Sequence, residues 1–73
     1  MTTFIITEDD GAHSNEIESF STYQDAKDCL NNIITTKDWE DGDDYDYEVI
    51  KVNDDEDIYE PMDCYNTIVG FRD

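Results

Sequence analysis

The segment STYQDAKDCLNNIIT, residues 21–35, carries the strongest secondary-structure signal in the chain. Its apolar side chains recur at the three- and four-residue spacing of one helix face; they are Tyr23, Ala26, Leu30, Ile33 and Ile34. Ser21, followed by Gln24 three positions later, is typical of a capping box at a helix N-terminus. We therefore predict one helix over about 22–35, whose apolar face must pack on another layer.

The segments on either side of this helix have the composition of strands. Residues 3–7 (TFIIT) are β-branched, and residues 15–20 (NEIESF) alternate polar with apolar side chains. Residues 45–52 (YDYEVIKV) predict a third strand, and residues 58–71 are strand-like at both ends of a segment in which Pro61 implies an edge or a break. The chain is therefore predicted to form one α+β domain, 1–73, in the order ββαββ, with the helix packed on a small antiparallel sheet.

The composition indicates a folded domain with an unusually large negative charge. Of 73 residues, 37% are hydrophobic and 12% are aromatic, too many for a disordered acidic tail. There are 21 acidic residues and four basic ones, so the formal net charge is -17. Solubility of a small domain needs a net charge of only about 2 to 8, and self-repulsion at a larger charge destabilises the fold. The excess charge therefore has a further cause, such as a basic partner, a cation or a salty environment.

Charge and cysteine content argue against several functional classes. Direct binding to DNA, RNA or an anionic membrane depends on lysines and arginines, which are scarce here. Cys29 and Cys64 fit neither a disulfide scaffold nor a zinc site, and no apolar run approaches the roughly 20 residues of a membrane span. The sequence contains no nucleophile elbow and no phosphate-binding glycine loop. We expect a soluble, cytoplasmic protein that is not an enzyme and holds no metal or cofactor.

The acidic residues are concentrated in the second half of the chain. Thirteen of the 21 lie within 38–63, where there is a single basic residue. Asp44, Asp46 and Glu48 alternate along the predicted third strand, so they should share one face at a separation of about 6.6–6.8 Å, a phosphate-like spacing. The acids at 54–57 either extend this row or form a second one.

The chain resembles the DNA-mimic inhibitors that phages and other mobile elements encode. The resemblance lies in its small size, its single domain, its few lysines and the two acidic segments EDGDDYDYE (40–48) and NDDEDIYE (53–60). It implies an inhibitor, acting in the host cytosol, that fills the basic DNA- or RNA-binding groove of a target protein. A CRISPR effector is the first target expected and a restriction enzyme the second, because CRISPR effectors hold nucleic acid in positively charged channels.

The residues expected to contact the partner are the acids of both clusters and one neighbouring tryptophan. They are Trp39, Asp41, Asp43, Asp44, Asp46, Glu48, Asp54, Asp55, Glu56, Asp57, Glu60 and Asp63. The tryptophan is included because aromatic residues are enriched as anchors in interfaces, although packing on the helix end accounts for it equally well.

The acidic surface is also compatible with an adaptor, a calcium-binding module or adaptation to high salt. An acidic adaptor would dock on a basic protein without displacing nucleic acid. A calcium-binding module would use the carboxylates of KDWEDGDDYDYE (37–48), but an EF-hand alignment that places Glu48 at the final position puts Lys37 and Trp39 where ligands are required. Adaptation to high salt would use the acids only to keep the surface hydrated.

Overall fold

The computed structural model describes residues 2–38 and 42–72. In these ranges one helix packs on a five-stranded antiparallel sheet whose strand order is β2-β1-β3-β4-β5. The elements are β1 (Thr2–Asp9), β2 (Ser14–Phe20), α1 (Tyr23–Thr36), β3 (Asp46–Asn53), β4 (Ile58–Asn66) and β5 (Gly70–Arg72). The α+β class, the helix and the antiparallel sheet are confirmed, but the order is ββαβββ and not ββαββ.

The additional strand, β5, follows a turn that a side chain organises. The side-chain oxygen of Asn66 accepts hydrogen bonds from the backbone N–H groups of Ile68, at 2.8 Å, and Val69, at 3.2 Å. Gly70 then adopts a φ of 91°, which glycine reaches without steric cost. The chain reverses, and Phe71 pairs with Tyr65 of β4. The sequence lacks the two-residue glycine turn that normally marks a hairpin, so local pattern does not predict this strand.

Helix α1 lies within one residue of its predicted limits, but its cap differs. Thr22 is the N-cap, and its hydroxyl accepts the backbone N–H of Asp25 at 3.2 Å; the predicted cap at Ser21 is therefore wrong by one position. The predicted apolar face is confirmed, because Ala26 and Leu30 are fully buried and the other three members pack against the same core.

The core lies between α1 and the two central strands. Ile6 of β1 pairs in register with Val49 of β3, and both are fully buried together with Tyr47. Because side chains alternate along a strand, every second residue of these strands faces the helix. We call this the helix side of the sheet.

The opposite side of the sheet is not covered by any element within residues 2–38 and 42–72, and we call it the open face. Its centre is apolar, because Ile5 pairs with Ile50 across β1 and β3. Val52, only 8% exposed, pairs with Tyr59 of β4 on the same face. A strand exposed on one side normally alternates apolar with polar residues, so an apolar centre on an uncovered face is a feature that the fold itself does not require.

No helix in the described part of the chain is both long and apolar enough to cross a membrane.

Candidate protein-binding surface

The acids near the two ends of strand β3 form two separate clusters. This strand spans eight residues, so its ends lie about 23 Å apart at 3.3 Å per residue. We call the acids near its start the entry end; they are Asp9, Asp10, Asp43, Asp44 and Asp46. We call the acids of the β3–β4 turn, together with Glu60 of β4, the hairpin end; they are Asp54, Asp55, Glu56, Asp57 and Glu60. Apolar Ile50 and Val52 lie between them on the open face, so the acids at 54–57 form a second cluster.

Asn66 brings two carboxylates together at the entry end. Its side-chain N–H₂ donates to the carboxylate of Asp44 at 2.8 Å and to that of Asp46 at 2.9 Å. Asp44 precedes β3 and does not alternate within it, so the predicted three-residue row is reduced to Asp46 and Glu48. The structure therefore replaces a row along the strand with a pair of carboxylates held by an amide.

Thr67 fixes the chain that leads into β3. Its hydroxyl donates to the backbone carbonyl of Asp43 at 2.8 Å and accepts the backbone N–H of Tyr45 at 3.0 Å. These bonds hold the entry end against the β4–β5 turn. Trp39 and Asp41, also predicted to contact the partner, lie outside the described residues.

The β1–β2 turn adds carboxylates to the entry end that the sequence did not predict there. Asp9 pairs with Asp46 in the sheet, which brings the turn beside the start of β3. The carboxylate of Asp10 accepts the backbone N–H groups of Ala12, at 2.9 Å, and His13, at 2.7 Å. These hydrogen bonds stabilise the charged form and lower the pKa of Asp10. The entry end therefore gains a carboxylate that stays ionised to a lower pH than an ordinary aspartate.

The hairpin end combines carboxylates with exposed apolar side chains. The four residues at 54–57 are exposed, and Asp57 adopts a positive φ of 54° within the turn. Ile58, Tyr59 and Met62 follow, with exposures of 48%, 64% and 41%. They lie on a stretch of β4 that β5 does not reach, since the β4–β5 pairing begins at Cys64. Ile58 and Tyr59 face opposite sides of the sheet, so these apolar side chains flank an exposed sheet edge, which is typical of an interaction surface.

Asp63, predicted to contact the partner, is engaged inside the protein on the helix side. Its carboxylate accepts a hydrogen bond from the Tyr23 hydroxyl and lies 3.8 Å from the Lys27 ammonium. The bond to Asp63 is the main cause of the raised pKa of Tyr23. Glu60 also lies toward this side, opposite Lys51 in the sheet.

A second group of one tyrosine, one carboxylate and one lysine links α1 to the sheet. The hydroxyl of buried Tyr47 donates to the carboxylate of Glu8, and the Lys37 ammonium lies 3.5 Å from that carboxylate. Burial and the bond to Glu8 raise the pKa of Tyr47. The bonded residues in these two groups are 40 and 39 positions apart along the chain. No local spacing pointed to them.

Among the described side chains, the lysines lie on the helix side. Lys27 belongs to α1 and Lys37 caps it, while Lys51 pairs with Phe4, whose ring packs on Tyr23 of the helix. The open face therefore carries carboxylates and, among the described side chains, no lysine. They are Glu16, Asp46, Glu48 and Asp54.

A shallow cavity lies on the open face next to the hairpin end. It has a volume of about 290 Å³ and is lined by Thr3, Ile5, Glu16, Ser19, Val52, Asp54 and Tyr59. We call it the open-face cavity. Glu16 was not predicted as a site residue, because it belongs to β2 and only strand order places it on the same cavity as Asp54.

The described residues hold no cluster of metal ligands. No three histidine, cysteine, aspartate or glutamate side chains within 2–38 and 42–72 converge as they would around an ion. The predicted calcium segment, 37–48, lies partly outside those ranges.

No protein-family profile matches the chain, and no curated protein or solved structure is significantly similar to it.

Proposed function

We propose that this protein is a non-catalytic inhibitor that occupies the basic nucleic-acid-binding groove of a target protein. The observation that carries the proposal is the separation of charge. The described lysines lie on the helix side, and two of them are paired with carboxylates there. The open face and both ends of β3 carry acids. A CRISPR effector is the first target to test, and a restriction enzyme is the second.

The dimensions of the acidic surface suit a groove that holds a nucleic-acid backbone. The two ends of β3 are about 23 Å apart, which equals the rise of roughly seven nucleotides along the axis of a duplex at 3.4 Å each. The molecule extends 42 Å along its longest axis. Carboxylates at the two ends of β3 can each meet a lysine or arginine that normally contacts phosphate. Association would be steered electrostatically and would weaken as salt rises.

The exposed apolar residues favour a second candidate, an acidic adaptor on a basic protein. Ile58, Tyr59 and Met62 are more apolar than a phosphate mimic requires. Tyrosine and methionine are enriched at the centres of protein interfaces, where charged residues are depleted. An adaptor would bind through these side chains and use the acids around them for steering, without displacing nucleic acid.

Competition with DNA separates the two candidates. The tagged protein is incubated at low salt with purified CRISPR effectors and restriction enzymes, and each retained protein is challenged with duplex DNA. A mimic is released by DNA and inhibits DNA cleavage in proportion to its occupancy. A partner that is retained while it binds DNA contradicts mimicry and supports the adaptor.

A matched pair of variants tests the role of the hairpin end. Asp54→Asn with Asp57→Asn removes two charges there, and asparagine tolerates the positive φ at position 57. Asp25→Asn with Asp28→Asn removes two charges from the exposed surface of α1. We expect the hairpin variant to weaken inhibition at least tenfold at equal salt and the helix variant to change it less than threefold. Equal losses would mean that net charge matters and position does not.

A further inference from the structure

We infer that the open-face cavity receives the side chain of an arginine presented by the partner protein. The inference rests on the proposed function, since it names one residue type through which a basic groove would engage this acidic face. It adds an anchoring contact to the long-range attraction of the clusters.

Two carboxylates border the cavity. Glu16 comes from β2 and Asp54 follows β3, and both side chains line it. Within 2–38 and 42–72 no hydrogen bond or ion pair engages either carboxylate. The described lysines lie on the other side of the sheet. A cation entering here meets negative charge that no described side chain neutralises.

The apolar part of the lining selects a long, amphipathic cation. Ile5 and Val52 supply aliphatic surface on which the methylene stem of such a side chain can lie. Tyr59 pairs with Val52 and is 64% exposed, so its ring is available to a guanidinium. The arginine guanidinium stacks on aromatic rings and forms bidentate hydrogen bonds with carboxylates, whereas the lysine ammonium is a more strongly hydrated point charge. The combination of ring, stem surface and two carboxylates therefore favours arginine.

The source of the arginine is a protein chain. Free arginine carries an α-carboxylate that this negative face would repel, and an arginine within a polypeptide does not. A second copy of this protein is disfavoured, because each copy carries a net charge of -17. Proteins that bind nucleic acid place arginines in their grooves to contact phosphates and bases.

The binding is tested on the isolated protein by amide NMR titration at about 150 mM salt, where the Debye length is about 8 Å. The probes are N-acetyl-arginine amide, its neutral isostere N-acetyl-citrulline amide, and N-acetyl-lysine amide. We expect the arginine probe to shift Ile5, Val52 and Tyr59 in a saturable manner, the lysine probe to bind at least threefold more weakly, and the citrulline probe to have no effect. Equal shifts from arginine and citrulline, or arginine shifts spread over both acidic ends, would overturn the inference.

Single substitutions then assign the contacts. Glu16→Gln should weaken arginine binding at least threefold, and Tyr59→Ala about two- to fivefold, the range of an exposed cation–π contact. Tyr59→Phe should leave binding unchanged because it keeps the ring. Asp28→Asn, on the helix, also removes one negative charge but lies away from the cavity. It should change arginine binding less than 1.5-fold. Equal effects of the two charge substitutions would contradict the assignment.

The cavity inference and the proposed function can fail independently of each other. Arginine binding without release of any target by DNA would leave the cavity intact and remove the proposed function. Release of a target by DNA, with no saturable arginine binding, would remove the cavity inference and keep the function.

Discussion

Asn66 determines the geometry of the entry end. It is only 7% exposed, and its amide N–H₂ donates to the carboxylates of Asp44 and Asp46. Its oxygen accepts two backbone N–H groups of the β4–β5 turn. One side chain therefore joins the acids at the start of β3 to the turn that precedes β5. Asn66 is a neutral donor, and it contacts both neighbouring carboxylates directly.

Asn66→Asp is the most informative single substitution at this site. It keeps the shape of the side chain but replaces the donor with a third carboxylate beside Asp44 and Asp46. We expect a loss of about 2–4 kcal/mol in the free energy of unfolding at pH 7, from lost hydrogen bonds and like-charge repulsion. The measurement is urea unfolding followed by circular dichroism.

The loss in the free energy of unfolding caused by Asn66→Asp should be larger at neutral pH than at acidic pH. Repulsion favours the protonated form of the new carboxyl in the folded state, so the deficit is present at neutral pH. It should narrow as the pH falls through the raised folded-state pKa of that carboxyl, and the repulsive part should vanish only below the unfolded-state pKa of about 3.9, where the carboxyl is protonated in both states. Asn31→Asp, on the exposed surface of α1, is the control and should cost less than about 1 kcal/mol. A deficit independent of pH would indicate that repulsion does not contribute.

At the level of elements, α1 packs on one face of the sheet, and its N-cap determines the residue at which the helix begins. Thr22 lies shortly after β2, and its hydroxyl accepts a backbone N–H of the first turn. Thr22→Ala should lower the free energy of unfolding by about 1 kcal/mol, because a first-turn N–H loses its partner. Thr22→Ser, which keeps the hydroxyl, should lie within about 0.5 kcal/mol of the parent. Equal stabilities of the alanine and serine variants would show that the cap contributes little.

At the level of the whole molecule, the net charge of -17 acts on stability as well as on binding. Self-repulsion among carboxylates opposes the compact state, and added salt screens it. We expect the melting temperature to rise by several degrees between about 10 and 200 mM NaCl, since 1 kcal/mol corresponds to about 4–8 °C in a domain of this size. The rise should level off above a few hundred millimolar and be equal for NaCl and KCl.

The same melting experiment distinguishes a basic partner from salt adaptation and from calcium binding as the cause of the charge. A melting temperature that continues to rise up to molar salt would favour adaptation to high salt. Stabilisation by micromolar calcium, with no comparable effect of sodium, would favour a calcium-binding module. Screening alone, complete by a few hundred millimolar, agrees with a surface that is acidic because its partner is basic.

The sequence by itself determined the features that depend on neighbours along the chain. The position of α1 and its apolar face follow from a periodicity that Ala26 and Leu30 satisfy locally. The strand composition around the helix predicted an antiparallel α+β domain, and residue counts alone established the excess of negative charge. Each of these needs only local pattern or composition.

Only the tertiary structure decided which charged groups meet. Strand order places Glu16 of β2 and Asp54 beside one cavity, and it brings Asp63 to Tyr23 across 40 positions of the chain. The fifth strand depends on Asn66, whose side chain organises a turn that carries no hairpin signal. The physical reason is that register and strand order are set by the packing of the complete core, and residues far apart in sequence become neighbours only when that core has formed.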